Sequence, residues 1–314
     1  MSDLKVFRLG PDGRDVELRG STVALEADLQ RRVEARMEQI LGIRFLASEY
    51  WTGSLYRGRV DSLGLDENGV PVVVEFKKGT DSGVVSQAIS YLAWLKSSRH
   101  EFEALVREKL GAKVAESIDW RAPRALCIAA GYSWHDRVAV GDLGRDRRIE
   151  LIRYRVFDGG LLNLHLVEPI SSPSKTGTTA RRSSAPAAPA ADAETVETEA
   201  VEAPALTVPE GLRDLYDDLD EVLTASGEVE AVPLRHYIAY RRLRNVASVL
   251  FRPSHRAILL YLRLDPDTVE LEDGFTRDMR KINHNGTGDL EVRIASAQDL
   301  EKAAPLIQRA VQEV

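Results

Sequence analysis

The pattern of hydrophobic and polar positions predicts alternating helices and strands in residues 1–170. Residues 24–41 place apolar side chains at helical spacing, and Gly42 is a suitable helix end. Residues 43–50 read as a strand, and a hairpin follows, RGRVDSLGLDENGVPVVVEFKKG, in which DENG predicts the turn. Further helices are predicted at 83–96, 101–111 and 136–143, and further strands at 125–130, 149–156 and 161–167. This order predicts an α/β sheet flanked by helices.

Residues 210–314 show a different pattern and predict a smaller α+β domain. An acidic helix, LRDLYDDLDEVLTA, comes first, a glycine turn leads into a strand in INHNGTGDLEVRI, and DLEKAAPLIQRAVQEV closes as an amphipathic helix. Between the two domains, residues 171–209 are rich in Ala, Pro, Ser, Thr and Glu and contain no aromatic residue. Such a segment buries too little apolar surface to offset the entropy of ordering it. We therefore expect a disordered linker there.

Composition and charge restrict the function only weakly. The chain has 314 residues, 44% of them hydrophobic and 29% charged, which suits two soluble globular domains. Its net charge of -7 argues against a gross electrostatic attachment to nucleic acid. Residues 1–170, however, carry 25 Lys and Arg against 25 Asp and Glu, so the whole acidic excess lies in the remainder. A neutral domain still binds DNA when its basic residues cluster and a bound metal offsets its acids.

Cysteine content and hydropathy indicate a cytoplasmic protein with no membrane contact. No window approaches the roughly 20 apolar residues of a membrane span, and the first residues lack the apolar run of a signal peptide. Cys127 is the single cysteine, so an internal disulfide and a thiolate zinc site are excluded. Its position in ALCIAA favours a buried structural thiol over a nucleophile.

The hairpin carries the residues that suggest chemistry. VPVVVEFKK is an apolar strand interrupted by Glu75 and Lys77, which are two positions apart and therefore project from the same face. Asp61 lies on the preceding strand, in VDSLGL. A register that pairs residue 61 with residue 75 brings the two carboxylates together, whereas a slip of one residue puts them on opposite faces.

Two converging carboxylates beside a lysine suit a site for a hard divalent cation. Mg²⁺ or Mn²⁺ prefers carboxylate oxygens, polarises a phosphodiester and lowers the pKa of an attacking water. A lysine beside the ion orients that water or stabilises charge that develops on the phosphate. The alternative is an ordinary acid–lysine pair on an exposed hairpin, and the D…ExK pattern alone does not exclude it.

Three further residues add to the pattern. Gln87 and Tyr91 are four positions apart in the helix VVSQAISYLAWL and share one face, so a neighbouring site would supply partners for them. A surface glutamine with a half-buried tyrosine explains them equally well. Glu26 opens the first long helix, where an acid is favourable in any case, and it is a candidate third carboxylate.

Together, GRVD, VVVEFKKG and QAISY resemble the PD-(D/E)XK nuclease superfamily, and in particular its RecB-like branch with a QxxxY motif. Over about residues 22–168 the chain is also similar to nuclease domains related to prokaryotic mismatch- and branch-specific endonucleases, in LEADLQ, GIRFLASEY and SQAISYLAWL. This resemblance implies a restriction-endonuclease-like core, which is a mixed sheet flanked by helices. Val60 stands where the name of the motif has a proline.

The resemblance also implies roles for the residues. Asp61 and Glu75 would be metal ligands, Lys77 would assist the nucleophile, and Gln87 and Tyr91 would shape the site. Glu26 would be the helix acid at the metal, although there are three competitors for that role, Glu34, Glu38 and Glu49.

The implied activity is hydrolysis of DNA by a Mg²⁺- or Mn²⁺-dependent endonuclease, in repair or in defence. Branched, mismatched and single-stranded DNA all remain open as substrates, as does a homodimer. Candidate phosphate contacts are Arg57, Arg59 and Lys78, while Tyr50 and Trp51 are candidates for stacking on a base. Ordinary surface charge and core packing explain these five residues comparably well. One alternative function is a catalytically silent nuclease fold that binds nucleic acid or protein, and another is a cytoplasmic regulatory protein whose C-terminal domain does the work.

The second domain resembles a small domain of unknown function appended to such nucleases, and the resemblance implies no activity. Its arginine-rich stretch contains aromatic residues, as a nucleic-acid surface would. Pairing of these arginines with the acidic helix is the preferred explanation. The arginines are Arg235, Arg241, Arg242, Arg244, Arg252 and Arg256. His284 has no recognisable acid–base partner and indicates a structural turn.

Overall fold

The computed structural model describes residues 4–11, 13–23, 25–80, 83–143, 148–170 and 206–313. Most of the predicted linker lies outside these residues. Its last part is described: the Leu206 N–H donates to the Leu234 carbonyl at 3.1 Å, and Leu206 and Val208 pack against the second core. Residues 206–209 therefore belong with the second domain rather than with the linker.

Within the described residues, the first part of the chain forms a seven-stranded mixed sheet. Six strands follow the order β3-β8-β7-β6-β5-β4, and the seventh, β9, also pairs with β8. β6, β7 and β8 run parallel, and the remaining neighbours are antiparallel. A separate hairpin of β1 (Val6–Arg8) and β2 (Val16–Leu18) precedes it. The strands of the sheet are β3 (Gly20–Ser21), β4 (Ile43–Trp51), β5 (Arg59–Asp66), β6 (Pro71–Lys77), β7 (Arg124–Ala129), β8 (Arg148–Phe157) and β9 (Leu161–Val167). The predicted helix-flanked α/β sheet is confirmed.

Helices cover both faces of this sheet because each presents one apolar face to it. α1 and α2 pack on one face, over a buried cluster that includes Val74 and Phe76. α4, α5 and α7 pack on the other, over a cluster that includes Val73 and Cys127. The helices are α1 (Glu26–Glu34), α2 (Met37–Leu41), α3 (Gly53–Tyr56), α4 (Val84–Ser97), α5 (Arg99–Leu110), α6 (Ala112–Glu116) and α7 (Trp134–Asp142).

The predicted helix over 24–41 was wrong in its continuity. Arg36 leaves the helical region with φ -140° and ψ 28°, which separates α1 from α2. Leu29, Val33, Met37 and Leu41 are nevertheless all buried in one cluster, so the apolar period reported the buried face correctly across the break.

The second domain is an antiparallel sheet with its helices on one face. Its described strands lie in the order β10-β11-β12-β13-β15-β14, and α8 and α9 enclose the larger of its two apolar clusters. The elements are α8 (Arg213–Thr224), β10 (Glu230–Pro233), β11 (Ile238–Arg241), β12 (Asn245–Arg252), β13 (Ala257–Leu262), β14 (Thr276–Asp278), β15 (Leu290–Ile294) and α9 (Ala297–Glu313). Short 3-10 helices lie at Glu210–Leu212, Pro253–His255 and Pro266–Thr268.

The two sheets meet at the turn of the β5–β6 hairpin. Asn68 in that turn accepts hydrogen bonds from the Tyr237 hydroxyl at 2.9 Å and the Asn245 amide at 2.6 Å. Glu67 beside it pairs with Arg263 and accepts the Asn245 N–H at 2.9 Å. The hairpin is thus held at its turn by the second domain, at the end of the strands opposite to Asp61 and Glu75.

A buried ion network lies next to that turn. The Arg124 guanidinium pairs with Asp66 at 2.7 Å and with Glu150 at 2.9 Å, and Arg241 of the second domain reaches Glu150 at 2.6 Å. Charges buried at this depth are tolerated only when they are paired.

Among the described residues, no helix is long and apolar enough to cross a membrane.

Candidate active site

The register of the hairpin brings Asp61 and Glu75 to the same place on the sheet. The paired residues of β5 and β6 run from Leu65 and Pro71 outward to Ser62 and Val74. The next pair outward is Asp61 and Glu75, which is the register that the sequence required. Both side chains lie on the face that α4 covers, because Val73 and Leu63, two positions away on each strand, are buried in that cluster.

Where the β5–β6 ladder ends, the two carboxylates accept the hydrogen bonds of the next backbone N–H groups. The Asp61 N–H donates to Glu75 Oε1 at 3.2 Å, and the Phe76 N–H donates to Asp61 Oδ2 at 2.8 Å. Glu75 is only 1% exposed, whereas Asp61 is partly exposed. Each carboxylate is therefore fixed by the backbone of the neighbouring strand.

Their surroundings disfavour two negative charges. Burial, followed by repulsion from Asp61, raises the pKa of Glu75. Burial likewise raises the pKa of Asp61, against the opposing effects of the Phe76 N–H and Lys77. A buried like-charged pair of this kind is stabilised by a bound proton or by a cation.

Glu26 contacts Lys77 and the chain after it. Its Oε1 lies 3.5 Å from Lys77 Nζ, and its Oε2 accepts the Lys78 N–H at 2.7 Å. Within the described ranges, no three His, Cys, Asp or Glu side chains lie close enough together to hold a metal ion. The expected three-carboxylate set of Glu26, Asp61 and Glu75 is thus not formed. The Glu26 carboxylate is close enough to raise the pKa of both other acids, but its contacts are with Lys77 and Lys78.

Tyr91 reaches the site and Gln87 is nearby on the same helix. The buried Tyr91 side chain donates from its hydroxyl to the Arg59 carbonyl at 3.0 Å, two residues before Asp61. Burial, and next the Glu75 charge, raises the pKa of Tyr91. Gln87 is half-buried and makes no side-chain hydrogen bond to another described residue. A side chain added at Gly58 would meet Tyr91 Cε1 at 2.5 Å, so this glycine leaves room for the ring.

Gln30 supports the site and was not identified from the sequence. Its buried Nε2 donates to the Asp61 carbonyl at 2.8 Å and lies 3.1 Å from both Ser48 Oγ and Glu34 Oε1. Glu34, one competitor for the helix acid, also accepts the Ser62 hydroxyl at 2.6 Å. A glutamine beside Leu29 on the apolar side of a helix is the signal that would have found it.

The predicted phosphate contacts surround this end of the sheet. Arg57, Arg59 and Lys78 are exposed, and Arg59 pairs with Glu49 at 3.4 Å. Arg57 adopts a left-handed conformation, with φ 47°, after the short helix α3.

The two candidate stacking residues differ in their surroundings. Tyr50 packs on Trp94 with ring centroids 5.4 Å apart, so core packing accounts for it. Trp51 is 56% exposed.

Two predictions of structural roles agree with the contacts. Cys127 is fully buried, and burial raises the pKa of its thiol, as expected for a structural cysteine. His284 Nδ1 lies 2.9 Å from the Ile282 carbonyl, and its ring packs on Tyr261 at 4.4 Å.

The prediction that the second domain's arginines pair with the acidic helix was wrong for the arginines whose ion pairs are described. They instead reach the first domain, β10 itself and the segment that precedes β10. Tyr240 contacts the helix, where its hydroxyl donates to Asp220 at 2.5 Å. The arginine pairs are Arg241 with Glu150 and Glu230, Arg242 with Glu228, and Arg244 with Glu67.

Comparison with known proteins gives one full-length relative. No family profile matches the chain. The chain is 24% identical, over 314 residues that span 99% of it and 100% of the relative, to a Haemophilus influenzae protein described as uncharacterized. A solved structure of an EndoMS–dsDNA complex matches at 18% identity and a TM-score of 0.25. The match covers 54% of this chain and 66%, just under two thirds, of the EndoMS chain.

Proposed function

We propose that this protein is a divalent-metal-dependent nuclease of the PD-(D/E)XK type that hydrolyses phosphodiester bonds in DNA. The observation that carries the proposal is the Asp61–Glu75 pair, fixed across two strands and repelling in a largely buried setting. A hard divalent cation matches this donor set, because carboxylate oxygens are its preferred ligands and its charge removes the repulsion. One or two carboxylates suffice for Mg²⁺, which completes its coordination with waters and substrate phosphates.

Asp61 and Glu75 would hold Mg²⁺ or Mn²⁺ in this account. When bound, such an ion polarises a phosphodiester and lowers the pKa of a water. The backbone hydrogen bonds of the two carboxylates keep their separation fixed, so little reorganisation is needed.

Lys77 supplies a positive charge two residues after Glu75 on the same face of β6. Its ammonium orients the attacking water or stabilises the charge that develops on the phosphate. Glu26 holds that ammonium at the edge of the sheet, which makes Glu26 a positioning residue for Lys77. Tyr91 and Gln30 act as positioning residues too, since each donates to a carbonyl of the Arg59–Asp61 segment.

The proposal is tested by incubating the protein with single-stranded, duplex, mismatched and branched DNA, with and without Mn²⁺. We expect cleavage of at least one substrate that requires the metal and is lost in Asp61→Ala and in Glu75→Ala. Cleavage that persists in both variants contradicts the assignment of the site. Binding of DNA without metal-dependent cleavage of any substrate supports the alternative, a catalytically silent nuclease fold.

A further inference from the structure

A cluster of basic side chains lies on the face of the first sheet that also carries Asp61, Glu75 and Lys77, on the far side of β7 from them. The cluster lines a cavity of about 590 Å³ between strands β8 and β9 and the β1–β2 hairpin. We call it the basic groove, and its basic side chains are Lys5, Arg19, Arg153, Arg155 and His165.

The strand register fixes the position of the basic groove relative to the candidate active site. Lys77 on β6 pairs with Ala129 on β7, which pairs with Arg153 on β8. Residues paired in this way share one face of a sheet, and neighbouring strands are about 4.8 Å apart. The Arg153 backbone therefore lies about 10 Å from that of Lys77, on the same face and at the same height. His165 pairs with Arg153 on β9 and continues the row.

Among the described residues, few acidic side chains compensate the charges in the basic groove. Lys5 pairs with Glu17 at 3.4 Å, and Glu17 is the acidic residue among those that line the cavity. Arg19, Arg153 and Arg155 form no ion pair with another residue in the described part of the chain. The Nε of Arg153 is buried and has no hydrogen-bond partner among the described residues. Leaving a charged donor unsatisfied is costly, and an anion in the basic groove would satisfy it.

We propose that the basic groove binds the phosphate backbone of the same nucleic-acid strand whose reacting phosphate lies at Asp61 and Glu75. This inference rests on the proposed nuclease function. A strand has one phosphate per 3.4 Å or so along its axis, so the 10 Å or so between Lys77 and Arg153 corresponds to about three nucleotides. Arg155 lies two residues further along β8 on the same face and places a second cation beside this row. Contacts to phosphates position a strand without reading its sequence.

The inference is tested by measuring DNA binding without metal, so that cleavage does not enter. A labelled single strand of 20 nucleotides is titrated in EDTA with the full chain, with Arg153→Gln/Arg155→Gln and with Arg19→Gln/Arg155→Gln. The second pair removes exposed side chains only and guards against a folding defect at the half-buried Arg153. Lys113→Gln/Arg213→Gln is the matched control, since it removes two exposed charges from α6 and α8.

We expect both groove variants to weaken binding about tenfold or more at low salt. The slope of log K against log salt is expected to fall by about 1.4, since each phosphate contact on a single strand contributes about 0.7. The control is expected to match the unmodified chain. Equal affinity and slope in all four proteins overturns the inference, and so does an absence of DNA binding by the unmodified chain.

The two proposals fail in different ways. Metal-dependent cleavage with no effect of the groove variants on binding removes the groove assignment and leaves the nuclease assignment standing. If the protein cleaves no substrate but the groove variants lose DNA binding, the nuclease assignment is removed, and the basic groove stands as a phosphate-binding surface only.

Discussion

Asp61 and Glu75 each complete the hydrogen bonding of the other's strand: the Asp61 N–H donates to Glu75, and the N–H that follows Glu75 donates to Asp61. The β5–β6 ladder ends at this reciprocal exchange. A carboxylate that serves as a backbone acceptor keeps one orientation, and a second carboxylate beside it raises the cost of ionising both. The pair is thus fixed in orientation and electrostatically unfavourable at once, and a positive charge beside it would relieve the repulsion.

Removing one of the two charges is expected to abolish cleavage without harming the fold. Asp61→Asn and Glu75→Gln keep the side-chain volume and remove the repulsion, so the melting temperature is expected to stay equal or rise. We expect cleavage to fall at least about a hundredfold. Single-turnover cleavage and thermal unfolding check this, with Glu116→Gln as the control because its exposed carboxylate on α6 pairs with Arg107 and not with a residue of the candidate site. A marked loss of stability in both variants would mean that the acids are structural.

Neutralising Glu26 is expected to act through Lys77. Glu26→Gln loses the ion pair with the ammonium but retains an acceptor for the Lys78 N–H. We expect kcat to fall about tenfold, with little change in KM, because the lysine acts on the charge of the transition state. Steady-state kinetics of Glu26→Gln, Lys77→Ala and the double variant measure this, and the double variant is expected to resemble Lys77→Ala. Effects that simply multiply would contradict a role through Lys77.

Crowding Tyr91 is expected to disturb the segment that leads into Asp61. In Gly58→Ala the new Cβ would lie 2.5 Å from Tyr91 Cε1, so the ring has to move away from the Arg59 carbonyl. Overpacking of this kind costs about 1–3 kcal/mol of unfolding free energy. Denaturant unfolding and cleavage are measured beside Gly79→Ala, where no atom lies within 4 Å of the added Cβ. Unchanged activity and stability in Gly58→Ala would show that Tyr91 does not position the site.

The sequence was sufficient for most of the helices and strands but not for the register of the hairpin. Because β6 is apolar on both faces, its pattern left open whether Asp61 lies opposite Glu75 or is shifted by one residue, and the register of the folded hairpin decides this. The contacts that depend on distant segments were missed. Nothing near Gln30 in sequence indicates the Asp61 carbonyl that it reaches, 31 positions later.

The roles of the arginines depend on how the two sheets meet. Arg241 looked like a partner for the nearby acidic helix, but its partner Glu150 is 91 residues away in the other domain. The basic groove combines alternating arginines on β8 with residues from the first hairpin, and only the tertiary structure brings these segments together.

Breaking the buried network between the domains is expected to be costly. Arg241→Leu leaves Glu150 with one cationic partner instead of two, and the expected loss is about 3 kcal/mol of unfolding free energy. Arg242→Leu is the control, since its partly exposed pair with Glu228 is worth about 1 kcal/mol or less and its other contact is one hydrogen bond to the Val311 carbonyl. Urea unfolding measures both. Equal losses in the two variants would contradict the burial argument.

The same network makes the free energy of unfolding fall at acidic pH. Burial alone would raise the pKa of Glu150, but Arg124 and Arg241 outweigh it and lower that pKa to about 2. The folded pKa thus lies below the unfolded value of about 4.3, so the contribution is complete above that pH and is lost as the pH falls towards 2. Urea unfolding between pH 6 and 2.5 is expected to show a steeper acid loss than in Glu150→Gln. Parallel curves would contradict this.

The most direct test of the account is a calorimetric titration of the DNA-free protein with Mn²⁺. We predict about one ion bound per chain, with binding lost in Glu75→Gln and in Asp61→Asn and kept in Glu116→Gln. Undiminished Mn²⁺ binding in Glu75→Gln and Asp61→Asn would contradict the claim that these two carboxylates form the metal site.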